Sequence, residues 1–103
     1  LRRLLYTKEA QADLVSILTH VARTSGSVET GRRVVDRIRT KCRKFASLPG
    51  MMGRTRPEIR PDLRSVAIGR YVVFMRYHDR ERLEIVAIVE GHRDIDAYFH
   101  PQQ

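Results

Sequence analysis

Apolar and polar positions alternate, repeat every third or fourth residue, and alternate again along this chain. Leu1 to Tyr6 reads as a short strand, with Leu4 and Tyr6 on one face and Leu5 on the other. Thr7 is a helix N-cap, and Glu9 falls in the first turn, where the helix dipole favours an anion. Leu14, Ile17, Leu18, Val21 and Ala22 then form one helical stripe. Ser25-Gly26-Ser27 interrupts it, and Ser27 caps a second helix. In that helix Val28, Gly31, Val34, Val35, Ile38, Cys42, Phe45 and Ala46 keep the period to about Ser47, and Leu48-Pro49-Gly50 stops it. So short a link makes the two helices an antiparallel hairpin.

Met51 to Asp62 is expected to be a loop rich in Gly, Pro and Arg. From Leu63 the period falls to two. Leu63–Ile68 and Tyr71–Tyr77 are strands joined by Gly69-Arg70, a pair that suits a type II′ turn. Residues then pair when their numbers sum to 139, so Arg64 faces Met75 and Arg76 faces Leu63. Cross-strand partners share a face, so Arg64 and Arg76 point to opposite faces of the sheet. His78 to Arg82 is a polar connection. Leu83–Glu90 is nearly all apolar, as in a central strand covered on both faces. Gly91 breaks it, and Asp94 to Phe99 forms a short helix or strand with Ile95, Tyr98 and Phe99 docked inward. The expected fold class is α+β: an N-terminal strand and an α-helical hairpin packed on a curled antiparallel sheet, with a short C-terminal element. Residues 1–103 make a single domain. The first strand sits beside a later one, because a lone strand leaves its backbone groups unpaired.

Composition narrows the function. With 103 residues, 42% of them hydrophobic, the chain is too short for a barrel enzyme or a two-domain dehydrogenase and too apolar for disorder. The net charge is +8, carried by 17 Arg and only 3 Lys. The second helix concentrates it: Arg32, Arg33, Arg37, Arg39, Lys41, Arg43 and Lys44 against Asp36. That ridge either faces a phosphate or an acidic partner, or is an ordinary solvated face. One cysteine permits no internal disulfide and points to a reducing cytoplasm. No stretch has the length of a membrane span, and the opening LRRLLY turns polar too soon for a signal peptide. It also lacks a methionine, so a few residues are expected upstream.

The chemistry is sparse. His20, His78, His92, His100 and Cys42 lack the short ligand spacings of a zinc site, so no metal is expected. Cys42 lies on the apolar stripe and reads as a small core residue. No phosphate-cradling glycine motif or cofactor signature is present. A metal-free ribonuclease needs a base, an acid and cations for the phosphorane charge. Glu58 or His92 offers the base, Tyr98 or His92 the acid, and Arg76 or Arg93 the cation. Each has an ordinary alternative: Glu58 pairing with a nearby Arg, His92 as a polar residue after a strand, Tyr98 as a docking aromatic.

Leu48 to Tyr77, followed by Glu84 to Phe99, closely resembles the ParE branch of the RelE/ParE toxin superfamily. The matching segments are GRTRPEI (Gly53 to Ile59), PDLR (Pro61 to Arg64), GRYVVF (Gly69 to Phe74) and GHRD (Gly91 to Asp94) with an aromatic after it. The AQADL opening of the first helix (Ala10 to Leu14) is also typical. The resemblance covers nearly the whole chain, in order. It implies a toxin of a type II toxin–antitoxin pair, neutralised by a ParD-like antitoxin from an adjacent gene. It further implies a ParE-like block on DNA gyrase without catalysis or cofactor, and operator DNA reached only through the antitoxin. Arg60, Arg64, Arg70, Arg93, Tyr98 and Phe99 are then the target-binding candidates. The ridge residues Arg32, Arg33, Arg37, Lys41 and Lys44 suit an acidic antitoxin segment. RelE-type mRNA cutters use lysines that this chain lacks in its sheet half, where the only lysines, Lys8, Lys41 and Lys44, do not fall. His92 stands where ParE-like sequences often carry a small residue, which with Glu58, Arg76 and Tyr98 keeps the ribosome-dependent ribonuclease open. A non-toxic antitoxin-binding module is the third alternative.

Overall fold

A computed structural model describes residues 1–93 and 95–100. Its elements are β1 (Arg3–Tyr6), α1 (Lys8–Ser25), α2 (Val28–Ser47), β2 (Arg54–Thr55), β3 (Arg64–Ile68), β4 (Tyr71–Tyr77), β5 (Arg82–Glu90) and α3 (Ile95–Phe99). The order of strands across the sheet is β1-β5-β4-β3-β2. The α+β class and the helical hairpin stand as the periodicity indicates, and the short C-terminal element, helix or strand by its pattern, is a helix. The expected start of the last element at Asp94 lies outside the described residues.

The helix ends form as their capping residues dictate. Thr7 Oγ1 accepts from the Ala10 amide at 3.0 Å and donates to the Val86 carbonyl at 2.7 Å, so the cap of α1 also ties it to β5. Gly26 ends α1 at φ 73°, a left-handed conformation that glycine adopts without steric cost. Ser27 Oγ then accepts from the Thr30 amide and starts α2. Gly31 lets the helices approach: a Cβ there would lie 2.8 Å from the Leu18 carbonyl oxygen.

The β3–β4 register is the one whose partners sum to 139, from Arg64 opposite Met75 to Ile68 opposite Tyr71. Gly69 has φ 61° and no other residue type has positive φ among the described residues, which fits a type II′ turn and excludes type I′. Three features depart from expectation. The sheet is mixed, because β1 pairs with β5 in parallel, Leu4 opposite Leu83 and Tyr6 opposite Ile85. The Gly- and Pro-rich loop contains the two-residue β2, paired antiparallel with Ser65 and Arg64. Val28 is not on the buried stripe; it is 56% exposed, in the first turn of α2.

The sheet is covered on both faces. Helices α1 and α2 bury Leu14, Ile17, Val35, Ile38 and Cys42 against Ile68, Val73, Met75, Leu83, Ile85 and Ile88. The opposite face gathers Ile59, Leu63, Phe74, Val86, Ala87 and Val89 under α3 and the 56–63 loop. β5 serves both faces because the pairing steps over Val86, with Phe74 opposite Ala87 and Met75 opposite Ile85. That bulge turns Val86 and Ala87 toward the same side.

Candidate functional site

On the sheet face away from the helical hairpin, arginines lie over aromatic rings. The 56–63 loop folds into tight turns, with Ile59 N donating to Arg56 O and Arg56 N to Leu63 O. These turns press Ile59 and Leu63 onto the sheet and leave Arg56 and Arg60 above it. Arg56 places its guanidinium 5.6 Å from the centre of the Phe74 ring. It donates to Ser65 Oγ at 3.0 Å, pairing a side chain that is only 7% exposed, and to Glu58 Oε2 at 2.7 Å. Phe99 of α3 meets Phe74 edge-on, with centroids 4.8 Å apart. Arg60 stands over Phe99 at 5.3 Å and Arg93 over Tyr98 at 5.1 Å. Each such pair contributes about 0.5–1 kcal/mol at an exposed site, and more when desolvated.

One carboxylate anchors this layer to the rest of the molecule. Tyr98 donates its hydroxyl hydrogen to Asp13, with oxygens 3.1 and 3.2 Å away, and Asp13 Oδ2 also accepts from the Ile88 amide at 2.8 Å. Burial, then the charge of Asp13 and its hydrogen bond, push the Tyr98 hydroxyl up to about 12. It is therefore a neutral donor at physiological pH.

The structure brings Arg60, Arg93, Tyr98 and Phe99 together and separates the other two target-binding candidates. Arg64 points to the helical side and donates to the carbonyls of Met52 and Gly53, at 2.9 and 3.0 Å, which makes it a clamp on the loop. Arg70 is exposed at the tip of the β3–β4 turn, where its carbonyl accepts from Gly91 N. As the register requires, Arg64 and Arg76 lie on opposite faces.

Three of the four ribonuclease candidates are engaged, each by different partners. Glu58 pairs with Arg56, whose hydrogen bond holds its carboxyl below the usual range. Arg76 is engaged by Glu84 at 2.9 Å and Asp62 at 3.5 Å. Burial alone would raise the Glu84 carboxyl; the hydrogen bonds from His78 and Arg76 outweigh it and hold the carboxyl down. His92 is exposed after β5, and Tyr98 is committed to Asp13. Cys42 is buried, and burial pushes its thiol up to about 11, so it is not a thiolate nucleophile. No cluster of metal-ligating side chains occurs among the described residues.

On the helical side, Arg32, Arg33, Arg37, Lys41 and Lys44 are all exposed, and among the described residues none of them makes an ion pair. Beside them a groove of about 430 Å³ runs over Tyr6, Leu14, Val15, Leu18 and Val35, with the Arg39 guanidinium 5.2 Å above the Tyr6 ring. Val15 is 66% exposed there.

Sequence reasoning missed Asp13 and Arg2. Arg2 donates to the carbonyls of Leu48, Pro49 and Gly50 beyond the end of α2 and stacks 4.5 Å from the Tyr77 ring. Its signal in sequence is only a cation near the chain start. Asp13 had one, as the lone acid inside the AQADL segment, on the border of the apolar stripe.

The family model for the ParE toxin of the type II toxin–antitoxin system parDE matches residues 4–95. The fold is similar to a solved structure of the chromosomal ParDE toxin–antitoxin system from P. aeruginosa, with a TM-score of 0.73 and 22% identity. That likeness covers 86% of this chain and 95% of the other. No curated protein matches the chain at a significant level.

Proposed function

This chain belongs to the ParE toxin family of type II toxin–antitoxin systems, and on that premise we propose that it is a gyrase poison with no chemistry of its own. Gyrase makes and holds the covalent DNA break. A toxin that binds the cleaved state more tightly than the resting one traps it, since a ligand shifts an equilibrium only by its differential affinity. The observation that carries this reading is the layer of arginines on aromatic rings. Arg60 and Arg93 are exposed yet held on Phe99 and Tyr98, so little side-chain freedom is left to lose on binding. Phe99, Ile59 and Leu63 cover the sheet face where a ribonuclease needs a cleft, and the cavity of about 270 Å³ left beside Phe99 is lined by only one of the four ribonuclease candidates, Tyr98. Of the acid and base candidates, Glu58 and Tyr98 are each committed to a separate partner, and His92 is exposed after β5.

The inhibitor of the toxin is a ParD-like antitoxin from an adjacent gene. Its amphipathic segment covers the groove over Leu14, Val15, Leu18 and Val35, and its acidic residues meet the Arg32 to Lys44 ridge. The antitoxin carries the sequence-specific operator contacts. The pair works in the cytoplasm; no helix among the described residues is long and apolar enough to cross a membrane.

The test is a supercoiling assay with purified gyrase and relaxed plasmid. Loss of supercoiling with accumulation of cleaved plasmid is expected, with RNA in a translating extract left intact. Fully active gyrase in excess toxin overturns the proposal. Replacing both Arg60 and Arg93 by alanine should raise the inhibitory concentration at least tenfold, on the order of a hot-spot pair.

A further inference from the structure

The cationic ridge of α2 leads to a pocket on the helical side of the molecule. Arg33, Arg37, Lys41 and Lys44 follow one another at four, four and three residues, so they line one face of α2 over about 16 Å. At Arg37 the row reaches a cavity of about 230 Å³ between α1, α2 and the β3–β4 turn. Its polar lining is His20, Thr24, Arg37, Arg70 and Tyr71, over an apolar floor of Ile38 and Ile68. Arg37 Nη1 is 3.9 Å from where a side chain on Gly69 would begin, so its guanidinium hangs beside the turn that carries Arg70. No carboxylate lines this cavity, whereas Asp13 and Glu90 line the larger neighbouring one. The five ion pairs among the described residues all lie elsewhere, so neither guanidinium is neutralised.

We propose that this pocket is a phosphate site and that, with the α2 row, it holds the sugar–phosphate backbone of a nucleic acid. Two guanidinium forks and an imidazole line one cavity without an acid, a donor set that suits a phosphodiester, while the Thr24 hydroxyl donates to the His20 carbonyl at 3.0 Å. An acidic peptide meets the row through charge alone, so an antitoxin segment is steered by it and takes its lifetime from the apolar groove over Leu14 and Val15. The exposed residues along it, Arg33, Arg37, Lys41 and Lys44 with Arg32, Asp36 and Thr40 beside them, include no apolar anchor. Protein interfaces take their affinity from such anchors, while nucleic-acid contacts take theirs from cations that release counterions. The contact reads no bases, so it leaves operator recognition to the antitoxin. It serves to place the toxin on the DNA that its target already holds. That role rests on the gyrase reading, whereas the phosphate contact itself does not.

The experiment is fluorescence anisotropy of a labelled duplex of arbitrary sequence with the full chain and no gyrase, at stepped salt. Micromolar binding near 50 mM salt is expected, with affinity falling linearly on logarithmic axes as salt rises. Arg37→Ala with Arg70→Ala should lower the affinity about tenfold or more and flatten the salt slope by close to two. Both residues are exposed, and circular dichroism checks that the fold is kept. Arg54→Ala with Arg80→Ala removes the same charge from elsewhere on the surface and should leave the slope unchanged. Three results overturn the proposal: no duplex binding by the unaltered chain, an equal effect of the two double variants, or binding of polyglutamate as tight as that of the duplex. Because gyrase is absent, failure here leaves the supercoiling result untouched, and the reverse holds.

Discussion

Asp13 joins three elements with one carboxylate: α1, where it sits, β5 through the Ile88 amide, and α3 through the Tyr98 hydroxyl. The two bonds differ in what their loss exposes. Tyr98→Phe frees a lone pair that water can reach, and should cost about 1–2 kcal/mol, near the lower bound for a bond to a charged group. Asp13→Ala also strands the Ile88 N–H beside a strand edge, and should cost about 2–3 kcal/mol. Urea unfolding of both variants measures the order; a larger loss for Tyr98→Phe refutes this account of Asp13. Gly31 is a second single-residue lever. Its replacement by alanine drives a Cβ to 2.8 Å from the Leu18 carbonyl, a backbone atom that cannot swing away, and should destabilise by about 1–3 kcal/mol in the same assay. Titration adds a third. The Cys42 thiol rises from 9.0 to about 11 and the Tyr98 hydroxyl from 10.0 to about 12, first through burial in both cases. Each group binds its proton more tightly folded than unfolded. Their stabilisation is therefore complete below the unfolded value and declines as pH climbs toward the folded one. Urea midpoints should fall from about pH 9 upward, and Cys42→Ala should remove the earlier part of that fall. A flat profile to pH 11 contradicts the assignment.

Among the elements, α3 has only five residues, too few to be stable alone, so it exists through what it docks on. Its seat is the Phe74–Phe99 edge contact, the Arg60 guanidinium on the other side of Phe99, and the Tyr98–Asp13 bond. Phe99→Ala should cost about 2–3 kcal/mol, less than a fully buried phenylalanine, and should speed amide exchange in α3 far more than in α1. Exchange that rises equally in both helices means the substitution loosens the whole fold, and α3 is not a separately docked unit. Legibility also differs by element. The helices and the β3–β4 register were readable because caps, a 3.6-residue period and a two-residue turn are local signals. The parallel seat of β1 was not, since nothing in Leu4 to Tyr6 states which strand it meets 80 residues later. The Val86 bulge hides in a run of apolar residues where a slipped alternation leaves no trace. β2 hides among glycines and prolines because it is paired through backbone alone over two residues. The site divides the same way. The sequence names Arg60, Arg93, Tyr98 and Phe99 in one set with Arg64 and Arg70, and nothing in it says that the last two lie elsewhere. The pairings of the first four were not legible either, because Arg60 and Phe99 meet only when the loop and the C-terminal helix close on the same strand.

At the scale of the whole molecule, the +8 charge is unevenly spent. On the sheet face away from the helical hairpin, Arg56, Arg60 and Arg93 are stacked on rings, and Arg76 is matched by Glu84 and Asp62. On α2, seven cations stand against Glu29 and Asp36. The two faces therefore act differently on partners. The stacked face offers fixed geometry and should govern how long a complex lasts. The α2 face offers a long-range field and should govern how fast one forms, because exposed charges are screened within about 8–10 Å once salt is physiological. Binding of the acidic antitoxin segment separates these effects. Reversing Arg32, Arg33, Lys41 and Lys44 to glutamate should slow association measured by stopped flow about tenfold or more at low ionic strength and flatten its dependence on salt. The dissociation rate should change little. Val15→Asp should do the opposite, leaving the encounter nearly as fast and shortening the lifetime, since it puts a charge into the apolar groove where the segment's side chains must seat. If the glutamate variant associates as quickly as the unaltered chain, the ridge does not steer the antitoxin, whose acidic residues must find their partners elsewhere.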